Sequence, residues 1–320
     1  MDLPHPAHPS HPVLIAAELQ PFLEPDQMVG LEITWLASAE PTPKGDFVAL
    51  VPLLSRWVGG TELKRLPKLK VVANCAVGHD NVDVVAAEMR GVKVTNTPDV
   101  LTDATADLTW ALILACARRV VEANEVVKSG AWTGWHPALL LGIELRGRTL
   151  GLFGAGRIGQ AVGRRALAFG MRIIYAARNA RPEFERGTGA AKVERSRLLA
   201  ESDVLSLHVP SRPETRGMID SDALRQMKPT AILINTARGD LIREEALAIA
   251  LEDGRLGAAG LDVYLEEPAI HPRLLAAPRT VLLPHIGSAT YETRRQMAAI
   301  ALANVHAVLK GDAPLTPVFR

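Results

Sequence analysis

The segment Gly154-Ala155-Gly156-Arg157-Ile158-Gly159 directly follows the apolar run Leu150-Gly151-Leu152-Phe153 and leads into a helical pattern through Ala161, Val162 and Ala166. A strand, a glycine turn and a helix in that order open a parallel βαβ unit, which few folds accommodate. Gly154 permits the tight turn, Gly156 lets a pyrophosphate approach the backbone, and Gly159 allows close packing of helix on strand. The first helical turn, with Arg157 and Ile158, then offers N–H groups and a positive dipole end to phosphates. The order of elements carries this reading, because the glycine spacing alone arises by chance.

Short apolar runs alternate with helical patterns on both sides of this unit. Strands are predicted over 13–17, 32–36, 47–52, 69–77 and 92–96, with helices over 61–66 and 82–90. A longer helix is capped by Thr102 or Asp103, runs through Trp110 and Cys116 to residue 128, and ends at Ser129 and Gly130. Six further strands follow over 149–153, 172–176, 204–208, 231–235, 258–263 and 281–284, and a last helix spans 291–310. Such alternation predicts an α/β protein with two doubly wound parallel sheets: a flavodoxin-like substrate domain and a Rossmann cofactor domain, with a cleft between them. A length of 320 residues suits two domains. The substrate domain is expected to be discontinuous, 13–102 with 291–320, and the dinucleotide-binding domain to span 103–290. Residues 1–12 alternate Pro and His with small residues and read as a disordered tail; His5, His8 and His11 make a poor preformed metal site there.

With 36 Lys and Arg against 35 Asp and Glu, the chain gives no electrostatic reason to expect nucleic acid or an anionic membrane as partner. No run reaches the roughly 18 apolar residues of a membrane span, and no basic segment precedes an apolar run at the N-terminus, so the expected location is the cytoplasm. Cys75 and Cys116 lack zinc or redox spacing and read as reduced packing residues, and no metal site is expected.

At the end of the second strand of the glycine-loop unit, Tyr175-Ala176-Ala177-Arg178-Asn179 contains no acid to bind a ribose 2′-hydroxyl. Arg178 can instead pair with a 2′-phosphate, with Arg181 close by, and Asn179 is a further candidate contact. The expected cofactor is therefore NADP(H), with NAD(H) as the alternative.

Three later residues stand just beyond apolar strand patterns: Arg238 after 232–235, Glu267 after 260–263, and His285 after 281–284. In open α/β sheets ligands bind beyond the carboxyl ends of strands, so the three can converge. Hydride transfer to a 2-keto acid leaves negative charge on the carbonyl oxygen. His285 can supply the proton, Glu267 can hold the imidazolium, and Arg238 can dock the carboxylate bidentately. Each alone has a bland explanation as a surface or satisfied polar residue; the combination is harder to dismiss.

These segments, with Asn235-Thr236-Ala237-Arg238-Gly239-Asp240, Gly260-Leu261-Asp262-Val263 leading to Glu266-Glu267-Pro268, and Pro284-His285-Ile286-Gly287-Ser288-Ala289-Thr290, resemble the D-isomer-specific 2-hydroxyacid dehydrogenase family from about residue 70 to 300. Lys128 to Pro137, Gly156 to Gln160 and Ala177-Arg178-Asn179 look most like its glyoxylate/hydroxypyruvate reductase branch. The resemblance implies reduction of glyoxylate or hydroxypyruvate to glycolate or D-glycerate, with Arg238, Glu267 and His285 as the catalytic set. It implies that the Val77 and Gly78 N–H groups hold the substrate carboxylate, with Leu53 and Ser288 lining the pocket. It further implies cofactor contacts from Thr105 and Asp262 at the nicotinamide, from Val209, Pro210 and Thr215 after one strand and Thr236 and Ala237 after the next, and from His285 and Gly287. Family members are usually homodimers joined through the cofactor domains, which would make 130–142 a dimerisation loop and Trp135 a candidate partner contact.

Three alternatives stay open. A cofactor-sensing corepressor shares the fold but adds long tails. Formate or phosphite oxidation would make less use of the His and Glu pair. Oxidation of D-3-phosphoglycerate, or of another D-2-hydroxy acid, is the nearest rival; a phosphorylated substrate needs further basic residues, for which Arg56 is the candidate, whereas Leu53 and Leu54 favour an uncharged substituent.

Overall fold

The computed structural model describes residues 10–318. It divides into two compact units, one running up to Leu101 and resuming from Ser288, the other spanning Thr102–Gly287.

The first unit is built on five parallel strands, β1 (His11–Ala16), β2 (Leu31–Leu36), β3 (Ala49–Val51), β4 (Val71–Ala73) and β5 (Lys93–Thr95), in the order β2-β1-β3-β4-β5. Alternate residues face opposite cores. Val13 and Ile15 pack with Ala298, Ala301 and Val305 of the helix Tyr291–Lys310, whereas Leu14 and Leu50 join Leu63 and Leu66 on the other face. Burial on both faces goes with the unbroken apolar runs 13–16, Ala49–Val51 and Val71–Ala73, whereas the edge strand β2 alternates, with Glu32 and Thr34 exposed.

Of the expected tail, residues 1–9, including His5 and His8, lie outside the described residues. His11 and Pro12 are not tail: they open β1 in register with Leu31 and Glu32. A proline is tolerated near the start of a strand, and the Pro12 carbonyl accepts the Val48 N–H at 2.9 Å. Three strands are shorter than expected. Beyond β4 the backbone leaves the ladder, Cys75 N–H turning to the Pro52 carbonyl at 3.0 Å.

The second unit carries seven parallel strands, β6 (Thr149–Phe153), β7 (Arg172–Ala176), β8 (Ala191–Lys192), β9 (Val204–Leu207), β10 (Ile232–Asn235), β11 (Ala258–Leu261) and β12 (Thr280–Leu282), ordered β12-β11-β10-β9-β6-β7-β8. The unforeseen strand is β8, two residues beside Ile174 and Tyr175, too short to register as a pattern. The sheet reverses its winding between β6 and β9, the switch point at which doubly wound sheets bind ligands.

The long helix expected over 102–128 is two helices, Thr102–Arg118 and Val120–Lys128, broken at Arg119 with φ +54°. The Ala117 carbonyl, which would serve residue 121 in a continuous helix, instead accepts the Ile143 N–H at 2.9 Å. A glycine permits that approach, since a Cβ on Gly142 would lie 2.2 Å from the same oxygen.

Candidate active site

The glycine loop sits at the switch point. Gly154 has φ +100°, a backbone state that L side chains rarely adopt, and a Cβ there would lie 2.5 Å from the His208 carbonyl. A Cβ on Gly159 would lie 2.2 Å from the Gly154 carbonyl, so strand and helix meet at van der Waals limits. Gly156 differs: a Cβ would meet nothing within 4 Å, and the loop is open where the helix Arg157–Ala166 begins. Val209, half-buried, lies against Gly154, and it continues into Pro210 and Thr215, whose hydroxyl donates to the Pro210 carbonyl at 2.8 Å.

After β7, Arg178 and Asn179 are exposed. The Arg178 carbonyl accepts from Lys192 at 3.2 Å, while its guanidinium has no hydrogen-bond or ion-pair partner among the described residues. Arg181 is engaged differently, its Nε donating to the Ala155 carbonyl at 3.0 Å inside the glycine loop.

Beyond β10, the buried Asn235 side chain shapes the turn that presents Thr236, Ala237 and Arg238. Its Oδ1 accepts the Ala237 N–H at 3.0 Å and its Nδ2 donates to the Arg238 carbonyl at 2.7 Å. Arg238 Nη1 donates to the Ala237 carbonyl at 2.6 Å. Beyond β11, Tyr264 N–H donates to Glu267 Oε1 at 3.0 Å, and beyond β12 His285 adopts φ +56° and places Nδ1 2.7 Å from Glu267 Oε2. With Nδ1–H donating to the carboxylate, Nε2 is the nitrogen left for another partner. The two side chains are 32% and 34% exposed, reachable by a ligand. Burial pushes the Glu267 carboxyl up, but the hydrogen bond from His285, the Tyr264 N–H and the charges of His285 and Arg238 outweigh it and hold the group below its ordinary range.

Thr105, Asp262 and Gly287 also meet: a Cβ on Gly287 would lie 3.2 Å from Asp262 Oδ2 and 3.6 Å from Thr105. Thr109 links this group to Thr236, its hydroxyl 2.9 Å from that of Thr236. Asp262 Oδ1 accepts the Ile286 N–H at 2.7 Å, while Oδ2 is buried without a partner among the described residues. A buried, unpaired acceptor marks a place for an external donor. It fits the carboxamide of a nicotinamide, as the open face at Gly156 and the helix N-terminus that follows it fit a pyrophosphate.

In the first unit, Val77 and Gly78 lie in the loop after β4, and Leu53 follows β3, its carbonyl accepting from Asn81 at 3.2 Å. Ser288, half-buried, is the first residue of the chain's return to that unit. Arg56 is not available to a phosphorylated substrate. It is buried, and its guanidinium donates to the Ala37 and Ser38 carbonyls at 2.6 and 3.3 Å and to the Thr42 hydroxyl at 3.4 Å.

Sequence reasoning missed the residues that brace this site. A Cβ on Gly239 would fall 1.9 Å from the Tyr264 carbonyl carbon, so a side chain there would displace the loop that carries Glu267. Glu244, also buried, holds the same loop by accepting the Leu265 N–H at 2.8 Å. The glycine next to Arg238 was the only visible signal. Both cysteines are buried free thiols, as expected for packing residues, with burial pushing each up to about 12.

The D-isomer specific 2-hydroxyacid dehydrogenase NAD binding domain matches residues 110–287. A glyoxylate reductase of Thermococcus litoralis is 52% identical over 270 residues, covering 83% of this chain and 82% of that protein. A protein of Thermus thermophilus superimposes with a TM-score of 0.88 at 44% identity, over 96% of this chain and 99% of that one. An NADPH-dependent glyoxylate/hydroxypyruvate reductase of Sinorhizobium meliloti, crystallised with NADP and malonate, does so with a TM-score of 0.85 at 33% identity, over 97% of each chain.

Proposed function

The chain belongs to the D-isomer specific 2-hydroxyacid dehydrogenase family, and from there we propose that it reduces glyoxylate or hydroxypyruvate to the corresponding D-2-hydroxy acid. The observation that carries the reading is the 2.7 Å pair of His285 and Glu267 with Arg238 beside it, all at strand ends of the sheet that bears the glycine loop.

The residues divide the work as follows. When bound, NAD(P)H supplies the hydride. The Gly154–Gly159 loop and the N–H groups at Arg157 and Ile158 would hold its pyrophosphate, Val209, Pro210, Thr215, Thr236 and Ala237 would contact it further along, and Thr105, Asp262 and Gly287 would receive the nicotinamide. Arg238 is the second unit's proposed group for the substrate carboxylate; from the first unit, the Val77 and Gly78 N–H groups are the proposed carboxylate donors and Leu53 and Ser288 the proposed lining residues. His285 holds a proton at Nε2 and gives it to the carbonyl oxygen as negative charge develops there. Glu267 fixes the ring by accepting from Nδ1, which leaves Nε2 facing the substrate oxygen.

NADPH is the preferred cofactor in this proposal because Arg178, exposed and without a side-chain partner among the described residues, stands where a 2′-phosphate would be read. The Sinorhizobium relative is itself NADPH-dependent. The engagement of Arg56 speaks against D-3-phosphoglycerate. For the 130–142 segment we propose a homodimer interface, on the exposure of Trp132, Trp135, Leu139 and Leu141.

The direct test follows NADPH and NADH oxidation by absorbance with glyoxylate and with hydroxypyruvate. Turnover faster with NADPH is the expected result; cofactor binding without turnover on either acid would overturn the substrate assignment.

A further inference from the structure

Four consecutive carbonyls in the loop after β4 are occupied by the protein itself. Ala76 O accepts the Thr97 N–H at 2.9 Å, Val77 O the Asn96 amide at 2.8 Å, Gly78 O the Asn74 amide at 2.8 Å and His79 O the Val82 N–H at 3.0 Å. Across a planar trans peptide the C=O and the next N–H point in opposite directions. Pinning the first three carbonyls therefore turns the N–H groups of Val77, Gly78 and His79 away from those donors. None of the three has a hydrogen-bond acceptor among the described residues. Successive backbone N–H groups left open in this way make an anion-binding concavity.

Two of the asparagines form a reciprocal pair. Asn81 Nδ2 donates to Asn74 Oδ1 at 2.9 Å and Asn74 Nδ2 to Asn81 Oδ1 at 3.2 Å. Asn81 Nδ2 also reaches the Leu53 and Arg56 carbonyls at 3.2 and 3.0 Å, tying the β3 loop to the β4 loop. Asn74 is 0% exposed and Asn81 8%. Two amides at such depth cost more to bury than leucines of similar size, and the cost is met only by a complete set of bonds. What the apolar alternative would not provide is the orientation of the loop.

We infer that Asn74, Asn81 and Asn96 are positioning residues for a carboxylate-binding loop, and that the His79 N–H is a third donor to the anion beside those of Val77 and Gly78. This rests on the proposed function for the first two donors. The segment from Asn74 to Asn81 contains no Lys or Arg, so the donors it offers to an anion are backbone N–H groups.

Calorimetric titration of oxalate into the cofactor-loaded protein tests the inference, alongside KM and kcat for glyoxylate, cofactor Kd and Tm. Asn96→Ala is expected to raise oxalate Kd and glyoxylate KM together by about tenfold, with kcat and cofactor Kd within about twofold. Asn81→Ala is expected to do the same more strongly; should it fail to fold, Asn96→Ala still decides. His79→Pro removes the third donor and is expected to weaken oxalate by about tenfold, whereas His79→Ala keeps it within about twofold. An unchanged oxalate Kd in Asn96→Ala, or a fall in kcat and Tm alone, overturns the positioning role. Equal effects of His79→Ala and His79→Pro overturn the third donor. Lack of glyoxylate turnover by the unmodified protein would sink the proposed function, while the oxalate titration would still report on the loop.

Discussion

Asp262 gives one carboxylate oxygen to the Ile286 N–H at 2.7 Å and keeps the other buried with no partner among the described residues. Burial pushes this carboxyl up, more than the Ile286 and Gly287 N–H groups and the His285 charge pull it down. A raised carboxyl in the folded state costs stability as pH climbs from about 3.9, its unfolded value, through the folded one. Asp262→Asn is therefore expected to raise the Tm of the cofactor-free protein at pH 7 by about 2–4 °C for each ~1 kcal/mol recovered, with no gain below pH 4. The same variant presents a donor where the carboxamide needs an acceptor, and its cofactor KM should rise. A Tm gain in thermal melts without a change in cofactor KM would remove Asp262 from the cofactor site.

His285→Asn is expected to lower kcat by about two to four orders of magnitude with cofactor Kd unchanged, the range for loss of a positioned general acid. Glu267→Gln should lower kcat less, because Gln can still accept the Tyr264 N–H. Since Glu267 is held below its ordinary range, it stays ionised down past about pH 4.3, and a kcat profile taken from pH 8 down to 5 should show no loss through its protonation. Wild-type kcat in His285→Asn would discard the proton-transfer assignment.

Arg178 and Arg181 should separate cleanly in steady-state kinetics. Arg178→Ala is expected to raise the KM for NADPH by about tenfold or more and leave that for NADH alone. Arg181 braces the glycine loop through the Ala155 carbonyl at 3.0 Å, so Arg181→Ala should weaken both cofactors alike. An equal effect of Arg178→Ala on the two would withdraw the argument for NADPH.

Asp203 provides the acid-stability test. It is buried, and its carboxylate accepts the Thr149 N–H at 2.8 Å, Lys228 at 3.0 Å and Arg148 at 3.4 Å. Burial pushes it up, but the Thr149 N–H, Lys228 and Arg148 prevail and hold it below the usual Asp range. A depressed carboxyl contributes stability above its unfolded value of about 3.9 and loses it as pH falls through the folded value. In urea titrations Asp203→Asn should cost about 1–3 kcal/mol at pH 7, with the gap narrowing below pH 4; a constant gap would mean that packing, not charge, is at stake.

The sheets were legible because a strand covered on both faces must be apolar throughout, as Val13 to Ala16 and Ile232 to Leu233 are. The glycine loop was legible because two of its three glycines meet backbone at distances that exclude any side chain. The break at Arg119 was not, since it depends on Ile143, more than twenty residues away, capturing a carbonyl. Nor was the fate of Arg56: in sequence it is a candidate cation for a phosphorylated substrate, and only the approach of the Ala37 and Ser38 carbonyls shows that its guanidinium is already engaged. The pairing of His285 with Glu267 could be argued from strand ends, but the bracing by Glu244 and Gly239 could not, because each meets backbone supplied by another segment.

The helix Tyr291–Lys310 fills one face of the first sheet, yet it is synthesised after the whole of the second unit. On the ribosome, Val13, Ile15 and Val71 would wait with that face uncovered through nearly two hundred further residues. The contiguous unit from Thr102 to Gly287 can close its own cores in the meantime. Folding of the nascent chain is therefore expected to finish at the end that was made first.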